Sequence, residues 1–412
     1  MGAIDFTVFA AAMNKVIRPA MQAQIYAKAP MWQLIGGWSA EEQVAQRANV
    51  LVNEFKNDKM YMPMRLSDSS GYAAIGVNGT YNYGNPEIAE SYSTIKTLVQ
   101  SFTIPKQVLN IKTEGAIVKP IKMYSDSASR SLAMNANRQS YGDGSGTVAT
   151  TNATQGGGGS QTVVLAPSTN GDIDYARYLP KGSRIKIASN AVVEVTGQTG
   201  PNTITIASAQ TWSAGDAIKL VDGDGNVVVE LDGFKSMIKS SGSYQNYDPA
   251  THYSWASSVD ATSETLYTGT IQKKMQTQYF ASNKVGEVKW IIMNSSAFQC
   301  YGNSLTGSVR QQPKDVLTGG WKGLDFMGGN AQILLDYDCP DDTILFLTDA
   351  DLVFGEYQGM EFEKGTDGNL LKIAGKLTYE VTLSWMGNIG TVSRASQAAL
   401  RGKTFSQLAA AP

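Results

Sequence analysis

Six short strand-like segments follow one another at near-regular spacing between residues 162 and 231. Each is rich in Val, Ile or Thr, and turn signals such as PKG, GQTGPN and DGDGN separate them: TVVLA, SRIKIA, VVEVTG, NTITIA, DAIKLVD and VVVEL. β-branched residues favour strands, and short strands punctuated by turns are typical of a small barrel or sandwich. We therefore predict an all-β module at residues 163–232, inserted into a longer chain.

The segments on either side of this module mix helix and strand patterns. Apolar residues recur every three or four positions from Lys119 to Tyr141, which predicts one long helix, and a second helix is indicated at residues 263–281. Later segments predict strands without a regular alternation of strand and helix: VKWIIMN, AQILLDY, TILFLTDADLVF and LTYEVTLSWMGNIGTVS. The predicted fold class is α+β.

The stretch NRQSYGDGSGT, Asn137 to Thr147, invites comparison with a nucleotide-binding loop. Gly142 and Gly144 fit the first two glycines of the dinucleotide motif, but the third position is Thr147, and the loop follows a helix instead of a strand. No Walker-type lysine follows. We interpret Gly142 as the stop of the long helix and residues 143–162, with their GGGGS run, as a flexible linker.

The N-terminal third of the chain predicts two extended parts. Residues 5–18 carry apolar side chains at helical spacing and predict an amphipathic arm that packs on another part of the molecule or on a neighbouring subunit, although an ordinary first helix fits them equally well. Residues 51–105 alternate in period two around a tip, residues 66–86, that is rich in Ser, Gly, Asn and Tyr. Because an isolated two-stranded ribbon is only marginally stable, we expect it to lie on a partner.

Few residues in this chain can do chemistry. His252 is the only histidine, and beside Tyr253 and Trp255 it is expected to be a packed side chain. Cys300 and Cys339 lack the spacing of a metal site or a disulfide framework. The sequence thus predicts no catalytic, cofactor-binding or metal-binding residues.

Two acidic clusters carry side chains that could bind a metal ion or act as acids and bases. Asp222, Asp224 and Asn226 resemble the start of a calcium loop, but Val227 and Gly233 stand where an EF-hand needs glycine and glutamate, so a tight β-turn is favoured. A second cluster surrounds Cys339 and Pro340 and is interpreted as a loop without a nucleophile beside it: Asp336, Asp338, Asp341 and Asp342.

Charge and targeting features exclude other classes. The 412 residues have a net charge of -2, which gives no overall drive toward nucleic acid or an anionic membrane. On the long helix, Lys122, Arg130 and Arg138 are interpreted as a solvated face, with phosphate contact as the alternative. The N-terminal sequence MGAIDFTVFAAAMNKVI has neither a basic region nor a long apolar run, so we predict neither export by a signal peptide nor a membrane span.

The order of these parts resembles that of a known family. Five parts of the chain carry the resemblance: an amphipathic arm, a long hairpin, a helix ending in LAMNANRQSYGDGSGT, a strand containing IIMNSSAF and a closing strand LTYEVTLSWMGNIGTVSRASQAALRG. In this order they are similar to the major capsid proteins of tailed bacteriophages, which have the Hong Kong 97-type fold. The resemblance extends over nearly the whole chain by layout and includes no catalytic signature.

The resemblance implies a division of the chain. It assigns residues 1–50 to the N-terminal arm, 51–105 to the extended loop, 106–150 to the spine helix and first part of the peripheral domain, 163–232 to an inserted β-domain, 233–284 to a return segment with the second helix, 285–376 to the axial domain, 377–405 to closing strands of the peripheral domain, and 406–412 to a mobile tail. The strands Lys96–Pro105 and Leu377–Val392 would both belong to the peripheral domain.

It also implies a structural role without catalysis. The chain would assemble in the host cytoplasm into hexamers and pentamers of an icosahedral shell around double-stranded DNA, with non-specific DNA contact and no membrane. Scaffolding, portal and cement or decoration proteins would be partners, and the scaffold would be separate or already removed. Lys56 and Lys59 are candidate donors for a covalent crosslink, but no matching motif accompanies them. Two alternatives remain: a tail, fibre or β-rich adhesin protein that binds carbohydrate, and an encapsulin-type shell protein.

Overall fold

A computed structural model of the chain describes residues 29–36, 50–51, 55–72, 74–75, 79–80, 83–105, 114–263, 266, 268–282, 286–306, 331–363, 371–372 and 376–405. The chain divides into two compact units. Unit 1 combines Met1–Met60, Thr94–Ser140 and Phe354–Ile389, and unit 2 combines Tyr61–Ser93, Tyr141–Val353 and Gly390–Pro412. The expected helix at residues 5–18, most of the arm and the tail at 406–412 lie outside the described residues. The predicted α+β class is confirmed.

The helices are α1 Pro30–Gly36, α2 Glu114–Tyr141, α3 Phe234–Met237, α4 Thr268–Ala281 and α5 Ser295–Thr306. The strands are β1 Val50–Leu51, β2 Phe55–Lys56, β3 Lys59–Ser67, β4 Glu87–Thr94, β5 Lys96–Pro105, β6 Thr147–Thr150, β7 Gln155–Val164, β8 Arg184–Ile187, β9 Val193–Gly200, β10 Thr203–Trp212, β11 Ala217–Leu220, β12 Ser258–Asp260, β13 Trp290–Met293, β14 Gln332–Leu335, β15 Ile344–Leu347, β16 Leu352–Phe362, β17 Leu371–Lys372, β18 Thr378–Thr391 and β19 Ala398–Leu400.

The sheet of unit 1 has the order β1-β16-β18-β17, and β5 also pairs with β18. Strands β5 and β18 are antiparallel from Pro105 opposite Thr378 to Lys96 opposite Gly387. An aromatic cluster fills the core of this unit: the ring centroids of Trp32 and Trp385 are 4.7 Å apart, and Phe354 lies 5.4 Å from each. Large buried rings dominate core energetics, so this cluster is the main apolar anchor of α1.

The long helix α2 begins five residues before the predicted start and ends at Tyr141, directly before Gly142, as predicted. Its buried apolar residues are Ala128, Leu132, Ala133, Ala136 and Tyr141. Arg130 is exposed, but Arg138 is only 9% exposed, so the expected solvated face does not extend to it. The side chain of Lys122 lies outside the described residues.

Residues 147–221 form a barrel in unit 2, with the strand order β6-β11-β8-β9-β10-β7. A bridge between Thr151 and Leu165 joins its two ends. Hydrogen bonds from Asn152 N to Val164 O (2.9 Å) and from Ala166 N to Thr150 O (2.7 Å) complete the closure. The interior is apolar and inaccessible to solvent: Val163, Leu165, Ile185, Ile187, Val195, Ile204 and Ile218. The bridge and these hydrogen bonds join the outer strands β6 and β7 at one end, which turns the sheet into a closed barrel.

Two local predictions for the barrel are wrong. Residues 143–162 are not a flexible linker, because they contain strands β6 and β7. The glycine run builds an irregular strand: Gly159 has a φ of +72°, and a Cβ there would stand 3.0 Å from the backbone of Gln210. The segment VVVEL is no strand either, since only Val227 forms a bridge, with Val221. A short apolar run does not distinguish a strand from a buried extended segment.

A second sheet of unit 2 has the order β12-β19-β15-β13-β14. Helices α4 and α5 contribute Ile271, Ala297 and Tyr301 to its core. The expected axial segment, residues 285–376, does not coincide with this sheet: β12 and β19 come from outside it, and β16 pairs in the sheet of unit 1. Strand pairing between distant segments is not readable from their order in the chain.

The ribbon expected at residues 51–105 is shorter in the structure. Strands β3 and β4 form a hairpin in the order β2-β3-β4, whereas β5 leaves it to pair with β18. Along β3, buried and exposed residues alternate, and its buried positions are Met60, Met62, Met64 and Leu66. The hairpin therefore has one buried face and one exposed face.

Candidate functional site

The turn after α2, once compared with a phosphate loop, is occupied by the protein's own groups. The Asp143 carboxylate accepts a hydrogen bond from Ser145 N (3.2 Å) and pairs with Lys235 Nζ (3.2 Å). Gly146 has a φ of +73°, and a Cβ there would lie 2.6 Å from Val228 O, so this turn requires glycine. Burial alone would raise the pKa of Asp143, but Ser145 and Lys235 outweigh it and lower the pKa to about 2. The carboxylate thus uses the donors that a phosphate would need.

The single histidine and the two cysteines are packed side chains. The His252 ring is half-buried and makes an edge contact with Tyr247 at 5.6 Å between centroids. Burial raises the pKa of the Cys300 thiol, and burial together with nearby aspartates raises that of Cys339. Both thiols therefore stay protonated near neutral pH, and a protonated thiol is a poor nucleophile.

The sequence DGDGN forms the predicted tight turn. Asp222 Oδ1 accepts hydrogen bonds from Asp224 N (3.0 Å) and Asn226 N (2.8 Å), and Arg184 Nη1 donates to Asp222 O (2.9 Å). The carboxylate is thus committed to the backbone of its own turn. Within the described residues, no group of three His, Cys, Asp or Glu side chains is arranged to hold a metal ion.

The acidic loop, residues 336–342, is a junction between distant segments. Asp336 Oδ2 accepts a hydrogen bond of 2.7 Å from Tyr141 OH at the end of α2. Asp338 Oδ1 accepts hydrogen bonds of 2.5 Å from Arg177 Nη2 and from Tyr178 OH. Burial and the neighbouring Asp336 raise the pKa of Tyr141 well above its usual value, which keeps its hydroxyl a donor.

Asn170 completes this junction by joining three segments. Its backbone N donates to Asp341 Oδ2 (2.8 Å), and its Nδ2 donates to Asp341 O (2.8 Å) and Lys403 O (3.2 Å). Its Oδ1 accepts from Phe405 N (3.1 Å). The four aspartates that sequence analysis placed in a loop do lie in one, and the contacts give Asp336, Asp338 and Asp341 structural partners.

Sequence reasoning missed Asn170, Arg177 and Tyr178 as partners of this loop. Each lies about 160 to 170 positions from the aspartate that it contacts. No local pattern marks such a pair, because a single Arg or Asn in a turn is ordinary. Only the fold brings them together.

The hairpin exposes large apolar side chains at and near its tip. Tyr72 and Tyr83 are 90% and 86% exposed, and Ile75 and Ile88 are 50% and 70% exposed. Large apolar side chains gathered on one exposed element are typical of an interaction surface. Among the helices that the structure describes, none combines the length and apolarity that a membrane crossing requires.

Comparison with known proteins identifies the fold through structure alone. No protein-family model and no curated protein matches the sequence. A solved chain from the capsid asymmetric unit of cyanophage A-1(L) is similar over 91% of this chain and 93% of its own length, with a TM-score of 0.53 and 12% identity. This chain has a phage capsid fold.

Two further solved structures are less similar to this capsid fold. A capsid chain of the native GTA particle covers 89% of this chain and 95% of its own, with a TM-score of 0.43 and 11% identity. A chain of Mycobacterium phage Patience covers 98% and 90%, with a TM-score of 0.41 and 10% identity. Of these three, the cyanophage chain alone is similar enough to establish the fold. The roles of single residues must come from this chain's own contacts.

Proposed function

We propose that this chain is the major capsid protein of a tailed bacteriophage and assembles into an icosahedral shell around double-stranded DNA. The observation that carries the proposal is the cyanophage capsid likeness, which spans more than nine-tenths of both chains. The role is structural: subunits associate as hexamers and pentamers without making or breaking a bond.

The exposed hairpin tip supports an assembling subunit. Tyr72 is almost fully exposed to solvent, and Ile88 is mostly exposed. Covering such side chains stabilises a contact by about 25 cal/mol for each Å² of apolar surface removed from water. A second copy of this chain is the occupant that a closed symmetric shell provides.

We extend the proposal to a Hong Kong 97-type layout. In this proposal the arm is residues 1–50, the extended loop is the hairpin of residues 55–94, the spine helix is Glu114–Tyr141, and the inserted β-domain is residues 147–232. The return segment is residues 233–284, the axial domain is residues 285–351, and the peripheral strands include Lys96–Pro105 and Thr378–Thr391. The single long helix α2 and the ten-residue pairing of β5 with β18 support this division.

Shell assembly implies further protein partners and a location for the protein. We propose a scaffolding protein, a portal protein, a cement or decoration protein, and non-specific contact with packaged DNA. The near-neutral charge of -2 suits weak contact with DNA better than tight binding. Assembly would take place in the host cytoplasm, and the assembled protein would reside in the virion.

Negative-stain electron microscopy with light scattering on the purified chain tests the proposal. We expect closed particles, and we expect Tyr72→Ser to reduce their yield while the exposure-matched control Tyr253→Ser does not. A co-expressed scaffold should be needed for uniform size in a phage shell, whereas uniform particles without one favour an encapsulin-type shell. A stable monomer or slender trimer that never closes would overturn the proposal and favour a fibre or adhesin.

A further inference from the structure

The stem of the hairpin is buried by the chain's own return segment. Met62, Met64 and Leu66 on β3 are 0%, 2% and 4% exposed, although they lie on an extended ribbon. Three side chains within residues 244–255, those of Gln245, Tyr247 and Ser254, contact this stem, and we call this segment the bracket. One face of the stem is therefore buried within the chain itself, in contrast to the expectation from sequence that the whole ribbon depends on a partner.

The bracket contacts both strands of the hairpin at three levels. Near the base of the stem, the side-chain amide of Gln245 lies beside Met62, its oxygen accepts a hydrogen bond from Ser93 Oγ (3.3 Å), and its nitrogen donates to Thr391 O (2.8 Å). Tyr247 OH donates to Glu90 O on β4 (3.3 Å). Ser254 Oγ donates to Leu66 O, close to the far end of β3. Contacts at three levels constrain the direction of the stem as well as its position.

The bracket itself is rigid. Tyr244 and Tyr247 exchange backbone hydrogen bonds of 2.9 and 3.0 Å around a two-residue turn. The central residues of that turn, Gln245 and Asn246, have left-handed φ values of 50° and 71°. This is the geometry of a type I′ turn, and a long side chain such as Gln adopts it only when its surroundings hold it there.

A buried arginine packs against the bracket and its preceding residues. Arg394 is fully buried, donates from Nε to Met237 O (2.6 Å) and from Nη1 to Gly242 O (2.9 Å), and lies 5.5 Å from the Tyr244 ring centroid. Trp255 Nε1 donates to Tyr244 O (3.1 Å) and closes the segment on itself. The hairpin stem thus rests on a support whose own conformation is determined by buried contacts.

We propose that the bracket presets the direction of the hairpin in the free subunit and thereby sets the rate at which subunits assemble, with Tyr247 and Ser254 as the positioning residues. This inference rests on the proposed capsid function. A free two-stranded ribbon samples many directions, and ordering it at the moment of contact would cost conformational entropy. A stem that is already held presents its tip in one direction, so association loses less entropy.

Hydrogen exchange on the full-length, dilute subunit tests the bracket directly. The double variant Tyr247→Phe with Ser254→Ala removes two hydroxyl donors and keeps the ring and the packing. We expect amides in residues 61–67 and 87–93 to exchange about tenfold faster, because two hydrogen bonds that oppose local opening are lost. The matched control, Tyr253→Phe with Ser241→Ala, removes the same groups from exposed positions and should leave exchange unchanged.

Assembly kinetics, followed by light scattering, test the second half of the inference. We expect the double variant to assemble several-fold more slowly than the control, with barrel amides exchanging at the wild-type rate in both. If hydrogen exchange in the stem is unchanged in the double variant, the bracket does not hold the hairpin. If exchange is faster but assembly proceeds at the wild-type rate, the bracket does not set the rate of assembly. If the wild-type chain never forms particles, the capsid proposal fails, while the exchange comparison still decides whether the bracket holds the hairpin.

Discussion

The barrel and the hairpin are both antiparallel β-structures of unit 2, but they reach stability in opposite ways. The barrel closes through the Thr151–Leu165 bridge and buries its apolar residues inside itself. The hairpin buries one face against the bracket and leaves Tyr72 90% exposed at its tip. Closure removes open edges, whereas a two-stranded ribbon keeps them.

The difference indicates what each region is available for. The barrel buries its apolar residues in its own interior, so we expect the effects of changes inside it to stay local. A hairpin that depends on a support can be redirected by changes in that support. Site-resolved hydrogen exchange distinguishes the two regions, because it reports opening separately for barrel strands and hairpin stem.

The largest expected effect is in the barrel core. Ile204→Ala should leave a cavity and destabilise the barrel by about 3 kcal/mol, which corresponds to roughly 100-fold faster exchange in β8, β9 and β10. Val229→Ala, at a side chain that is 59% exposed, is the control and should change exchange little. If hydrogen exchange became equally faster in the hairpin stem, the barrel and the hairpin would open together and would not differ in the way described above.

A smaller effect is expected where the barrel meets the acidic loop. Asp338→Asn removes the charge that Arg177 and Tyr178 contact, and because Arg177 is about one-third exposed we expect a loss of only about 1.5 kcal/mol. Exchange should rise in residues 168–178 and 336–342 and stay constant in the barrel strands. Asp224→Asn, on an exposed turn, is the charge-matched control; a similar rise there would contradict a local effect.

Acid should weaken the turn between α2 and the barrel. The pKa of Asp143 is about 2 in the folded chain against 3.8 ordinarily, so its contribution to stability is present above about pH 4 and is lost as the pH falls through 2. Thermal unfolding of wild type between pH 5 and 2 should therefore show a decline that is shallower in Asp143→Asn. Parallel curves for the two proteins would contradict this linkage.

The smallest expected effect is in the bracket turn that supports the hairpin. Asn246→Gly relieves a left-handed residue at an exposed position of the bracket turn, and type I′ turns favour glycine there. A gain of about 0.5 kcal/mol would slow exchange in the stem about twofold. The same substitution at exposed Asn152, outside the bracket, serves as the control, and a faster stem in Asn246→Gly would argue against strain in this turn.

Several local features were predictable from sequence. The long helix, its stop before Gly142 and the Asp222 turn follow from apolar spacing and turn chemistry, as do most barrel strands. The GGGGS run was misread as a linker because glycine permits both a flexible coil and an irregular strand. The acidic loop is predicted correctly, but its partners Asn170 and Arg177 are not, since no sequence pattern near either residue indicates a contact with the loop.

The sequence by itself determined the end of the long helix, the Asp222 turn and most barrel strands, because those choices depend on neighbours a few residues away. Tertiary structure alone decided that the barrel closes, that β16 pairs in the sheet of unit 1, and that the bracket supports the hairpin stem. These outcomes depend on contacts between residues tens to hundreds of positions apart, such as Ser254 with Leu66. Such contacts form only where the whole chain buries its apolar surface together.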